Sequence, residues 1–321
     1  MTMSPATKIV SRIRAGDTGR KSVFLVSFKA TTGLTKEETY AAGLKALKGS
    51  SSNLVFANDI QNGHNVVVTP EEFPYYGESR DNAIGTLCEM IEQRLQLDFV
   101  RTKVIAGDRA DLGALNASGS LPPNFLPVLE HLLNRGAYKV LPWKDSTSGH
   151  FGCAVEGQDF KRVSSARKAN HNLVLMEGAI PIMEDAGDTV VARGAKPSVG
   201  EHTQRMIYEE LAHAEVHGVR DPSVHSIVHF HCPLKPKSEW QFSISKRPQK
   251  PYECGSVQCG TNTAMGMGMA DIGIWAVHLE GHGPNIAYHR DVPAERVIAF
   301  IERHWDLDTK SGGIVTLGEA P

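Results

Sequence analysis

The stretch Lys196–His231 reads KPSVGEHTQRMIYEELAHAEVHGVRDPSVHSIVHFH, and its last seven residues decide the reading of the chain. HSIVHFH alternates as a strand does. Residues i and i+2 of a strand point to one face, so His229 and His231 project together, with His225 and Ile227 behind them. Two imidazoles on one strand face can supply two ligands to a Zn²⁺-like ion. Glu201 stands upstream, directly after the small-residue turn PSVG. His282 lies downstream in GHGPNI, with His278 and His289 as nearby competitors for third ligand. Three histidines, an open coordination position and a carboxylate not needed as a ligand compose a catalytic metal site. The other reading of H-x-H is an edge strand with two solvated or hydrogen-bonded imidazoles. The chain has 14 histidines, nine of them between His202 and His289, so local pairing also arises by chance.

At 321 residues the chain can bury a large core and form two domains. A hydrophobic fraction of 41% and a charged fraction of 22% are those of a soluble globular protein. A net charge of −2 gives no general attraction to nucleic acid or to acidic membranes. No apolar segment approaches a membrane span, and MTMSPATKIVSRIRAG has no apolar core of a signal peptide. Five cysteines argue against a disulfide framework, so a cytoplasmic location is expected. Cys254 and Cys259 have a C-x4-C spacing that departs from zinc-ribbon pairs, and read as loop or core thiols.

Taken in order, residues 1–20 read as a loose polar arm. In residues 21–97 a strand (KSVFLVSFKAT) precedes a helix that starts at Thr35, with Glu38 completing a capping box and Gly49 as the stop. NLVFAND and the residues after NGH read as strands, and SRDNAIGTLCEMIEQRL as an amphipathic helix. Residues 98–119 are rich in small and turn-forming residues and are expected to be a linker. A second domain is expected over 120–321. It opens with the helix PNFLPVLEHLLNRG, continues through short strands that include NLVLMEGAIPIM, and carries a helix over 201–216. The run AMGMGMAD is expected as a helix packed closely on a sheet, since its glycines do not form a dinucleotide fingerprint. IGIWAVHLEGHGPNIAYH reads as strand, turn and strand, and AERVIAFIERHWDL as a closing helix.

From about Phe125 to His304 the chain resembles the class II aldolase/adducin family. The resemblance rests on Pro197-Ser198-Val199-Gly200-Glu201, then Ile207-Tyr208, then Ser226-Ile227-Val228-His229-Phe230-His231-Cys232-Pro233, then IWAVHLEGHGPNI. It implies an αβα domain with a largely antiparallel central sheet, His229, His231 and His282 as metal ligands, and Glu201 as the acid/base. Val199-Gly200 replaces a single Ser of the family pattern, and Gly281 replaces its Asn. Weaker counterparts of the family's substrate-binding segments are Ser148-Gly149, Ser164-Ser165 and Ser198. The implied function is a metal-dependent lyase. It would make or break a carbon–carbon bond in a small hydroxy-carbonyl substrate, phosphorylated or not, by stabilising an enediolate on a divalent ion, Zn²⁺ first. A dehydratase or epimerase would use the same apparatus, and adducin-like relatives are non-catalytic binding proteins. The resemblance also implies a homo-oligomer.

The first unit resembles the C-terminal half of phosphopantothenoylcysteine synthetase over roughly 75 residues. The matching stretches are Val26-Ser27-Phe28-Lys29-Ala30-Thr31, Lys45 to Lys48, and Asn53-Leu54-Val55-Phe56-Ala57-Asn58-Asp59-Ile60. This implies a partial Rossmann-like unit in which Lys45 and Lys48 meet nucleotide phosphates. On a helix C-terminus such lysines are also an ordinary solvated face. The resemblance further implies a nucleotide-dependent ligase component whose glycine-rich half lies on a separate partner chain.

Overall fold

The computed structural model describes residues 9–14, 23–141, 143–186, 189–212, 215–216, 219–220, 225–236 and 244–311. The chain is mixed α/β and divides between Gln96 and Leu97 into two compact units. Most of the arm expected over 1–20 lies outside the described residues; within it, Val10–Ile13 form a single helical turn. No described helix is long and apolar enough to cross a membrane.

In the first unit the strand Val26–Thr31 pairs in parallel with Leu54–Asp59. The helix Lys36–Ser50 makes the crossover. Its start is the expected capping box: Glu38 N–H donates to Thr35 Oγ1 at 3.2 Å, and Thr35 N–H to Glu38 Oε2 at 2.8 Å. Gly49 does not stop it. The helix runs to Ser50, and Ser51 takes the left-handed conformation at φ 54°. Asn65–Val68 and Pro74–Gly77 then add antiparallel strands, so the four-stranded sheet is mixed and only its first pair is parallel. The helix Arg80–Arg94 buries Ala83, Leu87 and Met90 against Leu54, Phe56 and Val67.

The second unit is built on one ten-stranded sheet. Its path runs Ser245–Pro248, Ile274–Glu280, Gly283–His289, His225–His229, His150–Ala154, Arg162–Ser164, Ile182–Ala186, Thr189–Arg193 and Thr102–Ile105, with Gly268–Asp271 also paired to Ile274–Glu280. All pairs are antiparallel except the two outermost, where Ser245–Pro248 meets Ile274–Glu280 and Thr189–Arg193 meets Thr102–Ile105. The period of two in the strands divides the core between the sheet's faces. Val228, Ile286 and Ala276 pack with Phe125, Val128 and Leu129 of the helix Phe125–Asn134 and with Val297 and Ile301 of the helix Ala294–His304. Their neighbours Ile227, Ala287 and Trp275 face the other way, toward Ile207 and Leu211 of the helix Glu201–Leu211 and Ala264 of the helix Val257–Ala264.

Four sequence expectations need correction. Residues 98–119 are not a bare linker. Thr102–Ile105 is an edge strand, and Leu112–Ala117 is a helix capped by Asp111. Leu112 and Leu115, one turn apart, bury in the main core, so two apolar anchors outweigh a composition that reads as loop. NLVLME is helical, with a 3₁₀ turn at His171–Leu173 and an α-turn at Val174–Glu177 that ends on Gly178 at φ 64°. The helix from Glu201 stops at Leu211 rather than at 216. The Met-Gly run is not a helix: Val257–Ala264 ends before it, and Gly268–Asp271 is a strand. A Cβ on Gly266 would come within 2.6 Å of Arg247 Cγ and 2.7 Å of Val277 Cγ2, so this glycine serves a close crossing.

Candidate metal centre

His229 is the last residue of its strand, and His231 lies just beyond the strand's end. The expected alternation holds as far as His229, which shares its side of the sheet with Ile227. His282 sits in the turn between Ile274–Glu280 and Gly283–His289. The turn is pressed against the end of the histidine strand: a Cβ on Gly283 would lie 2.1 Å from Phe230 O. Only glycine permits that approach, and the approach carries His282 to the other two histidines.

All three imidazoles are buried, and one ring nitrogen of each lies within 4.8 Å of the others. His282 Nε2 is 3.0 Å from His231 Nε2 and 3.3 Å from His229 Nε2. Tetrahedral Zn–N bonds of about 2.0–2.1 Å place nitrogens about 3.4 Å apart, so these two separations suit a metal ion, and the cluster could hold one. The tautomers fit as well. His229 Nδ1–H donates to Pro284 O at 2.6 Å, and His282 Nδ1–H to Gln249 Oε1 at 3.1 Å. Each of those rings therefore turns a bare Nε2 lone pair toward the cluster. His231 can direct one Nε2–H at His282, but the His229 lone pair then still faces another nitrogen without a proton between them. Burial pushes the His229 pKa down to about 4, opposed by the Pro284 carbonyl. Burial, with His229 and His150 adding to it, drives His282 well below its ordinary value. Protonation does not resolve the convergence of lone pairs at neutral pH, whereas a cation does.

Gln249 is a supporting residue that no motif announced. It is buried, and its Nε2 donates to Tyr252 O at 2.5 Å, which turns Oε1 toward His282. His150 was also missed. It pairs in register with His229 on the adjacent strand, and the ring centroids are 4.7 Å apart. Gln204 Nε2 lies 2.9 Å from its Nδ1. A Cβ on Gly200 would fall 2.1 Å from His150 Nε2, which accounts for glycine before Glu201. His278 and His289 do not compete for the third position. His278 Nδ1 accepts from Trp305 Nε1 at 3.3 Å, and His289 Nδ1 accepts from Asp291 N–H at 3.2 Å.

Glu201 opens its helix, buried, with Arg162 Nη1 2.7 Å from Oε1. Its Oε2 makes no direct hydrogen bond among the described residues. Burial raises the carboxyl pKa, and Arg162 and a hydrogen bond from Ser164 oppose the rise. The carboxylate is not one of the three groups that converge, so it stands outside the ligand set.

The serines expected at the substrate have internal partners. Ser165 Oγ accepts from Phe151 N–H at 3.3 Å, and Ser198 Oγ from Gly200 N–H at 3.2 Å. Ser164 is buried beside Gln204, whose Nε2 is 3.3 Å from its Oγ. Ser148 is buried, its N–H donating to Lys139 O at 3.3 Å. Gly149 takes φ 96°, and its carbonyl receives His171 Nε2–H at 3.0 Å. In the first unit, Lys48 is tied to Glu72 at 3.0 Å and to Pro70 O at 2.9 Å, while Lys45 is exposed.

No family model matches the chain, and no solved structure matches it. The chain is similar to the Coenzyme A biosynthesis bifunctional protein CoaBC of Thermococcus kodakarensis, at 39% identity over 61 residues, which is 19% of this chain and 14% of that protein. That partial likeness is consistent with the phosphopantothenoylcysteine synthetase-like part of the chain, and the chain spans only a small fraction of the relative's length.

Proposed function

We propose that the second unit is a class II aldolase-like, metal-dependent lyase acting on a small hydroxy-carbonyl compound, with aldol cleavage first and dehydration or epimerisation as its near alternatives. The observation that carries the reading is the convergence of three buried imidazoles, with ring nitrogens at 3.0 and 3.3 Å. A divalent ion held by His229, His231 and His282, Zn²⁺ foremost, would supply Lewis-acid polarisation of a substrate carbonyl. Glu201 is the group that moves the proton. Burial favours its protonated form against Arg162 and Ser164, Arg162 holds Oε1, and Oε2, without a direct hydrogen bond among the described residues, is the oxygen that would give or take a proton. His150 walls the site beside His229.

The test is turnover of a panel of hydroxy-carbonyl compounds by metal-loaded protein, with products followed by NMR. Glu201→Gln should lower kcat by about 10²–10⁴-fold, the usual worth of a positioned acid/base, with metal content unchanged. Near-normal turnover in that variant removes Glu201 from the proton step. No cleavage, dehydration or epimerisation of any compound by the loaded wild type counts against the lyase reading.

The likeness to CoaBC favours a second reading for the first unit, as a component of a nucleotide-dependent ligase that works with a partner chain. Calorimetric titration of the full chain with ATP and CTP tests it; heats of binding that Lys45→Ala weakens would support it.

A further inference from the structure

Within the six residues Gln249–Cys254, two side chains address His282, one at each ring nitrogen. Gln249 Oε1 is 3.1 Å from Nδ1, and Cys254 Sγ is 3.8 Å from Nε2. The segment is internally braced. Tyr252 N–H donates to Gln249 O at 2.9 Å, Gln249 Nε2 returns to Tyr252 O, and Ser256 N–H donates to Glu253 O at 3.1 Å. Gly255, at φ 89°, follows the cysteine directly and turns the chain into the helix Val257–Ala264. Cys254 is partly exposed, whereas Cys259 is buried within that helix and is a core thiol, as its sequence suggests.

We propose that the Cys254 thiolate is the fourth ligand of the cation site, completing a three-histidine, one-cysteine tetrahedron. The inference rests on the metal reading above. With Zn–N near 2.05 Å and Zn–S near 2.3 Å, a tetrahedral centre sets sulphur and nitrogen about 3.5 Å apart, close to the observed 3.8 Å to His282; the sulphur is not within 4.8 Å of all three histidine nitrogens, so ligation asks the Cys254 side chain to swing toward the rest of the cluster. On binding, the sulphur–metal bond forms as the thiol proton leaves to solvent, and no redox partner is needed. The consequence is a site closed at rest: a substrate oxygen reaches the ion by displacing the thiolate or by a fifth bond, and the thiolate draws affinity toward soft ions.

Cobalt(II) loading of the full chain reads this directly. Wild type should show a thiolate-to-cobalt charge-transfer band in the near ultraviolet beside the visible bands of a tetrahedral ion. Cys254→Ser should bind cobalt, lose the charge-transfer band, and weaken zinc binding by at least the ~10–100-fold that loss of a ligand's hydrogen-bonding support costs. Cys88→Ser, at an exposed position in the first unit, should keep the band. Iodoacetamide labelling of wild type needs no variant: Cys254 should react in the metal-free protein and be protected by zinc. Tetrahedral cobalt bands without a thiolate band, or labelling unchanged by zinc, would overturn the cysteine assignment and leave the three histidines standing. Absence of any cobalt binding would overturn both.

Discussion

The two units bury polar groups in opposite ways. In the first, buried charge is neutralised in place. Arg94 is fully buried, and its Nη1 and Nη2 each lie 3.2 Å from Glu71 Oε2. Asp59 receives the amides of Gly33, Gln61 and Asn62 on Oδ1, and Leu34 N–H with the Thr31 hydroxyl on Oδ2. Each donor meets an acceptor, which is how buried polar groups hold a fold. In the second unit, His229 and His282 point acceptors at one another beside His231, and a buried carboxyl keeps one oxygen without a direct hydrogen bond among the described residues. Such an arrangement costs stability unless something else completes it, and that marks a place for a ligand rather than for packing.

The largest effect expected from this contrast is in the neutralised region. Arg94→Ala leaves Glu71 as a buried charge and should cost about 3–5 kcal/mol in denaturant unfolding. The double change Arg94→Met with Glu71→Leu should recover most of it. A cost for Arg94→Ala under about 1 kcal/mol, the range of surface pairs, would break the comparison.

A smaller effect is expected at the edge of the histidine cluster. Gln249→Leu removes the acceptor that fixes His282's tautomer without removing a ligand. Competition against a chelating dye should show metal affinity reduced by about 10–100-fold, roughly 1.4–2.7 kcal/mol. Unchanged affinity would mean that His282 needs no support to present Nε2.

The smallest effect, per histidine and per pH unit, is a pH slope. Burial lowers His171 to about 4, the Gly149 carbonyl opposing it. Burial, then Lys246 and His229, lowers His278 to about 4. Unfolded, both titrate near 6.5. Between those values the unfolded chain binds more protons, so the contribution is complete above about pH 6.5 and is lost as pH falls toward 4. The slope is about 1.4 kcal/mol per pH unit for each histidine. Urea unfolding at steps of about one pH unit should show it, and His171→Gln should remove one share. A flat profile over that window would contradict the buried neutral state.

The histidine cluster was legible in part: the paired histidines follow a local rule, while His282 was singled out from His278 and His289 by the resemblance alone. His229 and His231 stand two apart at the end of an alternating run, and His282 occupies a glycine-flanked turn between two apolar strands. The helix from Thr35 was legible for the same reason, since its capping box lies within four residues. What stayed hidden depends on contacts distant in sequence. His150 meets His229 only through strand pairing, and Gln249 reaches His282 across 33 positions. Arg162 meets Glu201 across 39 positions. Composition misled where a few apolar residues outweighed many small ones, as at Leu112 and Leu115, and where glycines served a close crossing rather than a helix, as at Gly266.

Whether the three histidines hold a metal is read by metal content per chain, by elemental mass spectrometry, on wild type beside His229→Ala, His231→Ala and His282→Ala. About one divalent ion per wild-type chain is expected, as a single three-histidine site holds, with its loss in each variant. A wild-type chain that binds no metal even when metal is offered would contradict the three-histidine site.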